Sequence, residues 1–242
     1  MLALQEVGVH AYEAIVGTGL FASSAFSLDL RPPRPTDSRA RRLGCAVLCR
    51  EPYRLVSAQL IDDAPLPERT LIAKIRAHGN TITVGSFHIP PGSTWGSVKV
   101  EAFRAIAAWL GNKRTRLLFG IDANAPKTDN PDIAKNTWWW TEGEQLLLSA
   151  RPAHSLRDVL RVYLTAHPHR LRKIEAERPS GPLQVSYDRG RRGRPVLCRY
   201  DFIYATPDFS VDRVRYLYND SRRAGSDHAL VVADLALPLG LP

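Results

Sequence analysis

The sequence has little cysteine, little lysine and no long apolar run, and each lack excludes something. Three cysteines occur in 242 residues, Cys45, Cys49 and Cys198. The number is odd and the spacing is not that of a zinc site, so they read as reduced thiols of an intracellular protein. No apolar stretch approaches the roughly 20 residues that a membrane-spanning helix needs. The opening Met1-Leu2-Ala3-Leu4-Gln5-Glu6 has no basic stretch and meets an acid at once, unlike a secretory signal. No membrane span and a cytoplasmic location are therefore the expectation. Hydrophobic residues make up 44% and charged residues 24%, which excludes collagen-like and wholly disordered chains.

What is abundant is arginine. Lysine plus arginine minus aspartate plus glutamate is 33 − 24, a net charge of +9. Six of the 33 basic residues are lysine, which leaves 27 arginines. Such a balance favours an anionic partner, nucleic acid first, with phosphorylated metabolites or an anionic membrane behind it. Arginine forks grip phosphate with two parallel bonds where lysine offers one charge. The same excess also fits charges on a solvated face, and composition leaves both readings open.

Along the chain, strand follows strand with few helices between. Leu2 to Val7 is a short apolar run ending in Gln5-Glu6, and Ala11 to Ile15 begins a short helix. Arg31 to Arg42, with Pro32, Pro33 and Pro35, predicts an exposed loop. Gly44 to Cys49 and Arg54 to Leu60 read as one strand pair, turned at Glu51-Pro52-Tyr53. Arg69 to Arg76 and Asn80 to His88 read as a second, turned at His78-Gly79-Asn80. Val100, Phe103, Ile106, Ala107 and Leu110 share one face of a helix over Val98 to Leu110. Thr115 to Asp122 predicts an interior strand and Leu156 to Leu164 a short helix. His167 to Arg194 is polar and basic and reads as a long loop. Val196 to Tyr204, Val211 to Tyr218 and Ala229 to Leu237 predict three closing strands. No repeat or linker divides the chain, so a single α+β domain over residues 1–242, two packed sheets flanked by helices, is expected.

Acids, histidines and one asparagine fall at the ends of these strands. Glu6, His88 and Asp122 close three of them, with Asn124 two residues on. Asp201 lies in Arg199-Tyr-Asp-Phe-Ile-Tyr204, and Asp227-His228 precedes the last strand. Each alone fits a cap or turn residue. Their recurrence on nearly every long strand points to one shared site.

Five segments in order resemble the motifs of the endonuclease/exonuclease/phosphatase superfamily, to which deoxyribonuclease I belongs. Leu2-Ala-Leu-Gln-Glu-Val7 resembles its "LQE" metal strand. Gly85-Ser-Phe-His-Ile-Pro-Pro-Gly92 is similar to its central histidine motif. Gly120-Ile-Asp-Ala-Asn-Ala125 resembles "GDxNA", with Ile121 inserted before the acid. Arg199-Tyr-Asp-Phe-Ile-Tyr204 and Gly225-Ser-Asp-His-Ala-Leu-Val-Val-Ala-Asp234 resemble the last two, and Leu156-Arg-Asp158 fits a further helix motif.

The resemblance implies a deoxyribonuclease I-like αββα sandwich of mixed sheets and a divalent-metal-dependent phosphoesterase. It gives Glu6 the metal, Mg²⁺ or Mn²⁺, with Asp227 supporting. Asp122 orients or activates the attacking water, and Asn124 bonds the phosphate or that water. Asp201 holds the ring of His228, which contacts the phosphate or moves a proton. His88 stabilises phosphate charge or protonates the leaving oxygen, and Glu68 stands where some members pair an acid with that histidine. Nuclease action on DNA leads. A phosphatase or lipid phosphodiesterase of the inositol phosphate or sphingomyelin type, or a catalytically weak nucleic-acid-binding relic, are the alternatives.

The chain also departs from the family. Ser86-Phe87 replaces the usual Asn-Thr, and a family strand that precedes "LQE" and carries a further asparagine is missing, so an N-terminally truncated domain is the expectation. Two basic or aromatic segments invite substrate contact. Arg189, Arg191, Arg192 and Arg194 form a flexible basic loop, and Trp138-Trp139-Trp140 follows the Asp122 motif. Both also fit bland roles, a solvated tip and a packed loop.

Overall fold

Alternation in Asn80–His88 builds the centre of the molecule. Ile82, Val84, Ser86 and His88 face one way and Phe87 the other, as a period of two requires. In this computed structural model, residues 1–92, 96–111, 113, 116–126, 128–136, 142–190 and 193–237 are described.

The chain begins with β1 (Leu2–Val7), α1 (Val9–Gly17), β2 (Ser23–Phe26), α2 (Ser27–Leu30), β3 (Gly44–Cys49) and β4 (Arg54–Gln59). It continues through β5 (Thr70–Ala77), β6 (Asn80–His88), α3 (Ser97–Leu110), β7 (Leu117–Asp122) and α4 (Glu142–Leu148). Next come β8 (Arg157–Asp158), α5 (Val159–Ala166), α6 (Pro168–Glu177), β9 (Tyr187–Asp188) and β10 (Leu197–Cys198). The last elements are β11 (Asp201–Ala205), β12 (Ser210–Leu217), α7 (Tyr218–Arg223) and β13 (Leu230–Ala236).

Six strands form one mixed sheet in the order β4-β5-β6-β7-β11-β8, with β6 and β7 parallel and the other pairs antiparallel. Opposite it lie a three-stranded sheet, β1-β3-β2, and the hairpin β12-β13. Side-chain parity assigns the layers. Phe87, Phe119, Ile121 and Phe202 point outward and pack with Phe103, Ile106 and Leu110 of α3 and Leu147 of α4. Leu71, Ala73, Ile82 and Val84 point inward and meet Cys45, Val47 and Cys49 of β3. Leu4, Ala46 and Leu48 face outward under Tyr12 and Ile15 of α1. The result is the expected α+β sandwich, helices outside two facing sheet layers. Among the described residues no helix is long and apolar enough to cross a membrane.

Three elements differ from expectation. β3 and β4 are consecutive strands but not a pair. Both edges of β3 are taken by β1 and β2, so the turn at Tyr53 carries the chain from one sheet to the other, where β4 pairs with β5. The stretch expected as a loop over 167–194 contains α6. Pro168 sits at its first turn, and Ile174 with Leu171 reaches the core while arginine, lysine and glutamate, all good helix formers, face solvent. The single strand expected over Val196 to Tyr204 is two, since Leu197–Cys198 pairs with β9 and Asp201–Ala205 joins the six-stranded sheet.

Candidate active site

Register, not sequence proximity, gathers the chemistry. His88 of β6 stands opposite Asp122 of β7, and Asp122 stands opposite Asp201 of β11. Cross-strand partners share a face, so the three side chains form a row across the sheet, pointing into the cleft between the two layers. His228, just before β13, closes the row. Its Nδ1 donates to Asp201 Oδ2 over 2.8 Å, and its Nε2 lies 3.9 Å from Asp122 Oδ2. The Tyr187 ring packs on the His228 ring at 4.7 Å, and the two residues form a backbone bridge.

Glu6 enters from the opposite layer by a bulge. In β1, Leu2 and Leu4 face outward, and so does Val7, an odd-numbered residue. The register shifts between Leu4 and Val7, and Glu6 takes φ +56°. An extra residue in the strand therefore frees Glu6 from the outward face and turns it toward the row. Its carboxylate is half-exposed, with Oε1 3.4 Å from His88 Nε2. The neighbouring Gln5 ties the layers together by donating from Nε2 to Ser86 Oγ, which donates on to Leu4 O.

Asn124 adopts φ +46° in the turn after β7. Its backbone N–H donates to Asp122 Oδ1 at 2.9 Å, and its side-chain amide donates to Ile89 O at 2.9 Å and Asp122 Oδ2 at 3.3 Å. Asp122 is thus held on both oxygens.

The protonation states diverge. His88 is buried, and burial, then the Arg69 charge, hold its pKa well below the ordinary histidine value. Burial also works against charge on His228. The hydrogen bond and charge of Asp201, with the charges of Asp122 and Asp227, outweigh it and lift His228 to about 9. Burial and the adjacent Asp201 push Asp122 up to about 8. One histidine is neutral and the other cationic.

Two expected residues lie elsewhere. Glu68 does not meet His88; its buried carboxylate accepts from Arg31 at 2.7 Å and lies 4.0 Å from Arg41. The next residue, Arg69, takes the place beside the histidine, with Nη1 3.4 Å from His88 Nε2. Asp227 is exposed at the lip and acts on His228 through its charge. In the basic loop, Arg189 is half-buried and Arg194 exposed. Arg191, Arg192 and Trp138-Trp139-Trp140 lie outside the described residues. Sequence reasoning missed Arg69 and Tyr187. The signal for Arg69 was the Glu68-Arg69 dipeptide itself, one position out of phase. Tyr187 gave none, inside a stretch read as loop.

The profile of the Endonuclease/Exonuclease/phosphatase family matches residues 1–228. The chain belongs to this family. Solved structures agree on the family's fold. A humanised Danio rerio TDP2 carrying 14 mutations superposes with a TM-score of 0.65 at 12% identity, over 97% of this chain and 84% of that one. The human Nocturnin catalytic domain with bound sulfate gives 0.60 at 18% identity, over 98% and 80%. A functionally unknown conserved protein from Enterococcus faecalis gives 0.60 at 15% identity, over 97% and 84%. No curated protein matches the chain in sequence. Enzymes of the family are divalent-metal-dependent hydrolases of phosphoester bonds. The donors fit such an ion. Oxygen ligands suit Mg²⁺ or Mn²⁺, Glu6 offers a half-exposed carboxylate at the lip, and the carboxylates of Asp122 and Asp201 lie close together in the row.

Proposed function

We propose that this chain is a metal-dependent phosphodiesterase acting on nucleic acid, with DNA as its first substrate. The row His88-Asp122-Asp201, closed by His228, carries the reading. Hydrolysis of a diester joins a water oxygen to phosphorus, breaks one ester bond and delivers a proton to the leaving oxygen. Each task has a candidate residue here.

Asp122, fixed by Asn124, accepts a hydrogen bond from the attacking water and orients its lone pair. Asp201 holds His228 by Nδ1, which leaves Nε2 free to donate to a phosphate oxygen or to the leaving oxygen. Arg69, with His88 beside it, lines the other side of Asp122 and presents N–H donors to a charged phosphate. Glu6, with Asp227 in support, would hold the ion, which supplies positive charge at a phosphoryl oxygen when bound.

Nucleic acid is favoured by the net charge of +9 and its arginine character. A relative of the same fold, Danio rerio TDP2, has been seen with a single-strand DNA product. The test is direct. The protein is assayed with Mg²⁺ and Mn²⁺ on plasmid DNA, single-stranded DNA, RNA, inositol phosphates and sphingomyelin, with and without chelator. Chelator-sensitive cleavage of DNA is expected. Turnover confined to inositol phosphates or sphingomyelin would move the substrate, and no turnover on any of them would remove the enzymatic reading.

A further inference from the structure

A buried ion pair lies behind the Asp122 turn, outside the row of catalytic candidates. Lys99, in the first turn of α3, and Glu144, in the first turn of α4, have fully buried side chains, with Nζ 3.0 Å from Oε1. The same Nζ donates to the backbone oxygen of Asn124 at 2.8 Å. Close helix packing makes the meeting possible. A Cβ on Gly143 would stand 3.1 Å from the Val100 backbone, tighter than an ordinary contact, so glycine suits the close approach of α4 to α3.

Stability alone gives little reason for the pair. Two buried charges lose their hydration, and apolar residues of similar volume usually serve as well or better. What the pair does locally is more telling. Asn124 is in the left-handed region, which asparagine enters more readily than most residues but still at a cost that its surroundings must offset. Its N–H and side-chain amide are held from the front by Asp122 and Ile89. Its carbonyl is held from behind by Lys99, and Glu144 holds Lys99 in turn.

We propose that Lys99 and Glu144 are positioning residues that lock the Asn124 turn and, through it, the orientation of Asp122. The pair touches no substrate and acts through a backbone carbonyl. The proposal rests on the phosphodiesterase reading for its effect on turnover, but not for its effect on the turn.

The experiment compares wild type, Lys99→Met, Glu144→Gln and the double variant Lys99→Met/Glu144→Leu. Three quantities are read: melting temperature, amide exchange at Asn124 by NMR, and Mn²⁺-dependent turnover of bis(p-nitrophenyl) phosphate. Lys99→Met strands a buried carboxylate and should melt early. The double variant should regain most of that loss. In it the Asn124 amide should still exchange about 10-fold faster than in wild type or more. Its kcat should fall by about 10- to 100-fold, with KM within about threefold. Wild-type exchange and kcat in a stably folded double variant would overturn the proposal. Should the double variant melt early, Glu144→Gln, which keeps the shape, carries the same comparison. A wild type inert on the diester would sink the phosphodiesterase reading alone, and the exchange rates would still decide whether the pair fixes the turn.

Discussion

Asp201 and His228 meet across a gap of 26 intervening residues because β11 starts, and the chain enters β13, at the same rim of the sandwich, and their 2.8 Å bond fixes the imidazole with Nε2 toward Asp122. In this arrangement Asp201 acts on a substrate through that ring. The two should therefore behave as one unit. His228→Ala is expected to cost about 10²–10⁴-fold in turnover. Adding Asp201→Ala to it should cost little more. Steady-state kinetics on the four variants of the cycle check this, and multiplied losses would show that Asp201 works independently.

Glu6 is exposed, strained and placed by a bulge, features that a structural carboxylate does not need. Glu6→Gln keeps the shape and removes the charge. Mn²⁺ binding, followed by calorimetry, should weaken at least as much as the ~10–100-fold seen when a ligand's supporting partner is lost. Melting temperature without metal should not fall. Unchanged Mn²⁺ affinity would place the ion elsewhere.

How much of this was legible in the sequence depends on the period of each segment. Strands whose apolar residues alternate, such as Asn80–His88, and helices with an apolar stripe, such as Ser97–Leu110, declared themselves. α6 did not, because only Leu171 and Ile174 of its ten residues reach the core and the rest read as loop. The residues His88, Asp122, Asp201 and His228 stood out as strand-end groups, but their mutual register is a tertiary fact with no local trace. The partner of β3 is hidden for the same reason, since a tight turn reads alike whether it joins neighbours or crosses between sheets. Lys99 carried an unused signal. It lies four, seven and eleven residues before Phe103, Ile106 and Leu110, so the helical stripe itself puts a lysine in the core.

Arg199 offers an acid-stability test away from the site. Its buried guanidinium binds Asp158 through two bonds of 2.7 and 2.8 Å. Burial pushes the Asp158 carboxyl up, but the charge and hydrogen bonds of Arg199, with Arg161, hold it below its ordinary 3.8. A carboxyl lowered on folding adds stability above its unfolded pKa and loses it as pH falls through the folded value. Wild type should therefore lose stability steadily below about pH 4. Asp158→Asn should cost about 3–5 kcal/mol at pH 7 and flatten that acid limb. Urea titrations at pH 7 and pH 3 measure both effects. An equally steep limb in the variant would assign the acid loss to other carboxylates.

The basic loop makes a prediction about salt. If Arg189, Arg191, Arg192 and Arg194 lie along a nucleic-acid backbone, neutral replacements weaken DNA binding at low salt. They also flatten the slope of log K against log salt by about one unit per lost phosphate contact. Fluorescence anisotropy across a salt series reads the slope. An unaltered slope would return these arginines to a solvated surface.

The last prediction concerns two open strand edges. β1 pairs only with β3, and β13 only with β12, among the described residues. Across the cleft, β1 lies over β6 and β7, while β13 lies over β11, the neighbour of β7. The facing edges thus sit over adjacent strands, and the floor between them, Leu118 and Ile203, is only partly buried. Unpaired backbone groups beside an apolar floor invite one more strand. A strand seated between β1 and β13 would complete this layer. Adding a designed β-strand and turn of about 15–25 residues before Met1 should raise the melting temperature. It should also protect the amides of Leu2–Val7 from exchange and, by steadying Glu6, tighten Mn²⁺ binding. Edge groups left without partners cost about 1–3 kcal/mol each where water is excluded, so the gain should be large against a marginal total. Equal melting, equal exchange in β1 and equal metal affinity in both lengths would show that the layer is already closed as it stands.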